Sequence, residues 1–168
     1  MNKVEALSKE VVGLIPFYTL EGAATMLVLQ NSDRSSIIDS RKITTVKLAL
    51  AYCFAVDLKA QAKILRKLFQ RCPPLPFYLP DKRVFLPFKL VRPLVEGDSC
   101  YGYIEMSAIK NIRVDEDKNP YIYLKNGDKF ELYSRIDTAR LMHYFGIEIY
   151  DDLLSKETSR YKWLHDSN

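Results

Sequence analysis

The segment from residue 44 to residue 70 has the clearest periodicity in the chain and predicts one long helix. It contains no Gly or Pro, and Ala, Leu, Lys and Arg, which favour helices, dominate it. Apolar side chains recur along it at helical spacing, interrupted by Gln61. The helix must end before Pro73 and Pro74, because proline lacks an N–H donor and restricts its predecessor. The apolar positions are Leu50, Phe54, Leu58, Leu65 and Phe69.

Short apolar and alternating segments elsewhere predict antiparallel strands. Asn126 and Gly127 lie between two alternating segments and predict a hairpin, because both residues adopt positive φ at little cost. Ser134 resembles the N-cap of a short helix that runs through Phe145 and ends at Gly146. The predicted strands are Thr25–Gln30, Ser35–Asp39, Phe77–Leu79, Arg83–Leu86, Tyr101–Val114, Tyr121–Lys125 and Lys129–Tyr133.

These elements predict an α+β fold: an antiparallel sheet with one long basic helix and a smaller C-terminal helix. A chain of 168 residues has the size of a single domain. We expect an N-terminal arm or short helix over residues 1–15, one α+β domain over 16–150 and a C-terminal tail over 151–168. We also expect a cytoplasmic protein with no membrane partner, since no apolar run is long enough to span a bilayer and three scattered cysteines fit reduced thiols.

The charge of the chain is concentrated in its central third. Residues 41–92 carry twelve Lys or Arg and two Asp, whereas the segments on either side are both net negative. Lys59, Lys63, Arg66 and Lys67 are spaced three and four residues apart, so a helix places them on one stripe. Such an asymmetry predicts a surface that faces a polyanion.

Residue patterns that would indicate catalysis or metal binding are missing from the sequence. The two histidines have no cysteine or carboxylate at metal-ligand spacing, and the three cysteines lack the close pairing of a zinc site. There is also no P-loop, no Gly-rich dinucleotide turn and no nucleophile elbow. We therefore expect a protein that is not an enzyme and that uses no cofactor and no metal.

The order of motifs after the basic segment points to a family. Cys72–Pro76 (CPPLP) is a proline-rich connector, Arg83–Pro87 (RVFLP) follows it, and Cys100–Ile104 (CYGYI) is a Cys-containing aromatic segment. The Gly22–Leu29 segment precedes them, and the hairpin sequence Leu124–Gly127 (LKNG) follows. In this order and spacing, residues 18 to 147 resemble the ComK family of bacterial competence transcription factors.

The ComK resemblance implies a transcriptional activator that binds AT-rich promoter duplexes. Dimerisation on DNA is expected, because a promoter site with two half-sites is bound by a pair of protein subunits. A regulatory adaptor protein is a further expected partner. By residue type, Arg66 and Arg71 are candidates for entering a narrow minor groove. Gln61 and Gln70 could reach base edges, although such residues are more commonly exposed polar positions of a helix. The residues expected to contact phosphates are Lys59, Lys63, Arg66, Lys67 and Arg71, flanked by Arg41, Lys42 and Lys47.

A protein–protein adaptor without enzymatic activity is the main alternative. It would use a sheet face rich in aromatic residues, although such residues more commonly pack within a sheet. The two hypotheses differ at the basic stripe: a DNA-binding protein leaves it exposed and contiguous, whereas an adaptor pairs it with Asp and Glu of the same chain. The aromatic residues are Tyr101, Tyr103, Tyr121, Tyr123, Phe130 and Tyr133.

Overall fold

The computed structural model describes residues 3–31, 37–92, 95–97 and 99–166, which form two antiparallel sheets and three α-helices and confirm the α+β class. The first sheet contains β1 (Val11–Thr19), β2 (Gly22–Leu29), β3 (Ile37–Asp39), β4 (Phe77–Tyr78), β5 (Val84–Lys89) and β6 (Tyr101–Glu105). The second contains β7 (Ile109–Val114), β8 (Pro120–Leu124) and β9 (Lys129–Glu131). The helices are α1 (Ile43–Cys53), α2 (Leu58–Phe69) and α3 (Ile136–Asp166), with 3₁₀ helices at Val4–Leu7 and Met106–Ala108.

The first sheet is built around the β1–β2 hairpin, in the strand order β3-β2-β1-β6-β5-β4. Strand β1 starts at Val11, inside the segment expected to be an arm or short helix. Every residue from Val11 to Pro16 is buried, so this strand lacks the alternation by which a half-exposed strand is recognised. Strand β3 occupies the second part of the predicted strand Ser35–Asp39, whose first two residues lie outside the described ranges.

The two faces of the first sheet bury separate apolar clusters, because successive side chains of a strand point to opposite faces. Val11, Leu14 and Leu27 pack with α1 and the first 3₁₀ helix. The residues next to them in sequence face the other way and pack with α3 and the second sheet. These residues are Val12, Ile15 and Val28.

The prediction of one helix from residue 44 to residue 70 is wrong, because α1 ends at Cys53 and α2 begins at Leu58. Ala55 between them has a left-handed φ of 55°. The Asp57 carboxylate accepts a hydrogen bond of 3.1 Å from the Ala60 N–H and caps α2. A cap and tertiary packing thus override a continuous helix propensity.

The prediction of one strand from Tyr101 to Val114 is also wrong, because a 3₁₀ turn divides it between the two sheets. The buried Glu105 carboxylate accepts hydrogen bonds from the Ala108 N–H, at 3.1 Å, and from the Ser107 hydroxyl. The turn takes the chain from β6 in the first sheet to β7 in the second. The predicted hairpin at Gly127 is confirmed, with β8 and β9 paired on either side of it and a φ of 97° at the glycine.

Helix α3 is the longest helix among the described residues, not the small one that the sequence predicts. It passes through Gly146 and continues to Asp166, so residues 151–166 of the predicted tail are helical. Gly146 is buried, and a Cβ there would lie 2.7 Å from a Leu86 methyl carbon. The glycine therefore allows the helix to approach β5 closely and does not end it.

An ion cluster fastens the N-terminal residues to the segment before α1. The Arg41 guanidinium contacts the buried Asp39 carboxylate at 2.7 Å and the Glu5 carboxylate at 2.8 Å. Asp39 also accepts a hydrogen bond of 3.0 Å from the Val4 N–H. Burial by itself raises the pKa of Asp39, but the hydrogen bonds from Arg41 and the backbone outweigh it and leave that pKa below its ordinary value.

Replacing Asp39 with Asn should lower the free energy of unfolding by about 2–3 kcal/mol at neutral pH, because it leaves Arg41 without its buried partner. The pKa of Asp39 is lower in the folded protein, so its contribution is complete above about pH 5 and is lost as pH falls through the folded pKa. The difference in free energy of unfolding between wild type and Asp39→Asn, measured by urea denaturation, should therefore become smaller towards pH 3. Glu21→Gln, at an exposed turn, serves as the control. A difference that is constant with pH would contradict this assignment.

Candidate nucleic-acid interface

Helix α2 lies along the edge of the first sheet and is fixed there by one glutamine. The edge strand β4 has a strand neighbour only on its β5 side. On the open side, the Gln61 amide donates to the Tyr78 carbonyl at 2.8 Å and accepts from the Tyr78 N–H at 2.9 Å. The side chain thus replaces a missing strand and satisfies both backbone groups. Gln61 is only 7% exposed, which contradicts both interpretations of it, as an exposed polar residue and as a residue that reaches base edges.

One apolar side of α2 faces the protein interior, whereas Ile64 and Leu68 are 48% and 52% exposed. Leu65 is buried in the cluster shared by α3 and the second sheet, and Ala62 and Phe69 pack against that cluster. The Phe69 ring meets the Phe145 ring of α3 edge-on, with centroids 5.2 Å apart. With these residues and Gln61 facing inward, the opposite side of the helix faces solvent.

The outer side of α2 carries four basic side chains that form no ion pair with any residue that the structure describes. Lys59, Lys63, Arg66 and Lys67 are all exposed. Within the described part of the chain, none of the four takes part in an ion pair. The one acidic residue next to the helix, Asp57, is used as its N-cap. The stripe is therefore exposed and contiguous, the arrangement expected of a DNA-binding protein.

Arg71 lies just beyond the end of α2 and is also exposed. Gln70 ends the helix in a left-handed conformation, with φ of 52°, and turns the chain back towards α3. The Arg71 guanidinium is 4.5 Å from the centroid of the Phe145 ring, a cation–π contact that holds its position without removing its charge.

The three basic residues around α1 have different surroundings. Arg41 is held by Asp39 and Glu5, whose hydrogen bonds raise its pKa above the ordinary value. The Lys47 ammonium donates to the Tyr103 hydroxyl at 3.0 Å and lies 4.5 Å from the centroid of that ring. Lys42 is exposed. The structure thus brings the α2 residues together and uses Arg41 and Lys47 in internal contacts.

The six aromatic residues considered for an adaptor do not share one face. Tyr103 packs with Phe77 in the first sheet, and Phe130 turns inward from the second. Tyr121 and Tyr123 lie on the outer face of the second sheet, with ring centroids 6.1 Å apart. Arg113 lies 4.4 Å from the Tyr123 ring, and Lys129 lies 5.2 Å from the Tyr121 ring.

The described residues provide neither a cluster of metal-binding side chains nor a helix that could cross a membrane. They contain no group of three or more His, Cys, Asp or Glu side chains that is placed to hold a metal ion. None of the helices they form combines the length and apolar character needed to cross a membrane. The three cysteines are free thiols.

Comparison of the chain with protein-family models, curated proteins and solved structures finds no significant match. The resemblance to the ComK family therefore stays a prediction.

Replacing Gln61 with Leu should lower the free energy of unfolding by about 1–3 kcal/mol, because two partly buried backbone groups of Tyr78 lose their partners. DNA affinity of the folded protein should stay unchanged. The matched control is Gln30→Leu, at an exposed position after β2. Chemical denaturation and DNA titration of both variants measure the two effects. Unchanged stability with weakened DNA binding would instead indicate that Gln61 reads bases.

Proposed function

We propose that this protein is a DNA-binding transcriptional regulator without catalytic activity, which contacts duplex phosphates through the outer side of α2. The observation that supports this proposal is the stripe Lys59, Lys63, Arg66 and Lys67 on a helix fixed at the sheet edge. The stripe is exposed and has no ion-pair partner in the part of the chain that the structure describes. An exposed cluster of unneutralised cations on a rigid element favours a polyanionic ligand.

The dimensions of α2 suit a nucleic-acid backbone. Twelve helical residues span about 18 Å, and side chains three or four positions apart are about 5–6 Å from each other. Four phosphate contacts would release condensed counterions and give log affinity a slope of about −3.6 against log salt. Such contacts position the protein on DNA, but they do not read its sequence.

A preference for AT-rich DNA is the part of the proposal that rests on the ComK resemblance. The narrow minor groove of such DNA has a strongly negative potential that attracts an inserted arginine. Of the two candidates, Arg66 is better placed than Arg71, whose guanidinium already lies over the Phe145 ring. Homo-oligomerisation on DNA and activation of transcription are proposed from the same resemblance, whereas a cytoplasmic location is proposed from the composition of the chain.

The Lys63→Glu/Lys67→Glu variant should bind an AT-rich duplex at least about tenfold more weakly than wild type at low salt. Its salt slope should be shallower by about 1.8, because two phosphate contacts are lost. Fluorescence anisotropy across a salt series measures both, with a GC-rich duplex and a single strand as competing ligands. Wild type should bind the AT-rich duplex most tightly.

The matched control is Lys110→Glu/Lys125→Glu, which makes the same charge change at two exposed lysines, one in β7 and one in the turn after β8. It should retain most of the affinity and the wild-type salt slope. Equal losses in both variants would show that only net charge matters and would contradict a site on α2. Absence of duplex binding by folded wild type at low salt would contradict the proposed function as a whole.

A further inference from the structure

A second basic region lies in a cleft of about 950 Å³, away from the residues proposed to contact DNA. Its walls come from the end of β5, the turn between β7 and β8, the end of β9 and the first residues of α3. This volume is within the range of small-molecule sites, about 300–1,000 Å³. The residues of α2 do not line it.

Four cationic side chains line the cleft: Lys89, Arg92, Lys118 and Arg135. They come from separate parts of the sequence, and the fold brings them together. In the described ranges none of the four forms an ion pair, although Glu131 and Asp137 also line the cleft. An excess of unpaired cations in a concave site favours an anion, and arginine suits the geometry of phosphate.

The cleft also offers an apolar and aromatic wall. Val114 is 45% exposed at this surface, beside Leu132 and Pro120. The Tyr133 ring is 37% exposed, and the Arg92 guanidinium lies 5.1 Å from its centroid. The Tyr133 backbone is secured by a hydrogen bond of 2.9 Å from its N–H to the Lys89 carbonyl. An exposed ring beside a guanidinium provides a stacking surface for a planar group.

We propose that this cleft binds a nucleoside phosphate, with the base against Tyr133 and the apolar wall and the phosphate among Arg92, Lys118 and Arg135. The same chemistry is present in a free nucleotide and in one unit of a single strand. The site is independent of the duplex-binding surface on α2, so each can exist without the other.

The first test compares AMP with its two halves by isothermal titration calorimetry. AMP should bind at least about tenfold more tightly than adenosine, which lacks the phosphate, and than inorganic phosphate, which lacks the base. A short oligodeoxyadenylate strand distinguishes the two sources. Tighter binding of AMP supports a free nucleotide as ligand, and tighter binding of the strand supports a nucleic-acid unit. Absence of AMP and strand binding by folded protein would overturn the proposal.

The second test locates the site with two variants of equal charge change. Lys118→Glu/Arg135→Glu should weaken AMP binding by at least about tenfold, whereas Lys63→Glu/Lys67→Glu on α2 should leave it unchanged. Duplex affinity should fall in Lys63→Glu/Lys67→Glu and stay unchanged in Lys118→Glu/Arg135→Glu. Failure of this site and failure of the DNA surface are therefore distinguishable. Tyr133→Leu keeps the charges and should reduce AMP affinity towards that of phosphate. Equal AMP affinity in all three variants and wild type would overturn the proposal.

Discussion

The pair of hydrogen bonds between the Gln61 side chain and the Tyr78 backbone is the interaction that fixes α2 at the sheet edge. A sheet edge exposes unpaired N–H and C=O groups, and a helix that covers it must satisfy them. Gln61 does so from the inner side of α2, and Leu65 and Phe69 pack beside it. The residues that cover the edge therefore also fix the orientation of α2, so that its basic side chains face solvent.

The division of the 43–69 segment into two helices has a functional consequence. Helix α1 packs over one face of the first sheet, whereas α2 contributes Leu65 to the cluster on the other face. A continuous helix would not serve both positions. The turn at Ala55 and the Asp57 cap separate the two roles, so that α1 completes the core and α2 presents basic side chains.

The sequence predicted the elements whose signals are local and missed those that depend on distant partners. The Gly127 hairpin and the α2 stripe follow from neighbouring residues alone. Lys47 is held by Tyr103, 56 positions away in sequence, so no local pattern shows that it is occupied. Arg41 is held by Glu5, 36 positions away, as well as by its near neighbour Asp39. Strand β1 is buried on both faces and has no alternation to detect. The cleft could not be predicted either, because its cations come from different segments.

Mapping an AT-rich duplex onto the protein by NMR, with backbone amide shifts at low salt, would locate the DNA-binding surface directly. If α2 is that surface, the largest changes fall on residues 58–71, with much smaller changes on residues 109–131 of the second sheet. Changes concentrated on Tyr121, Tyr123 and their neighbours, with α2 unaffected, would contradict that assignment and place the nucleic-acid surface on the second sheet.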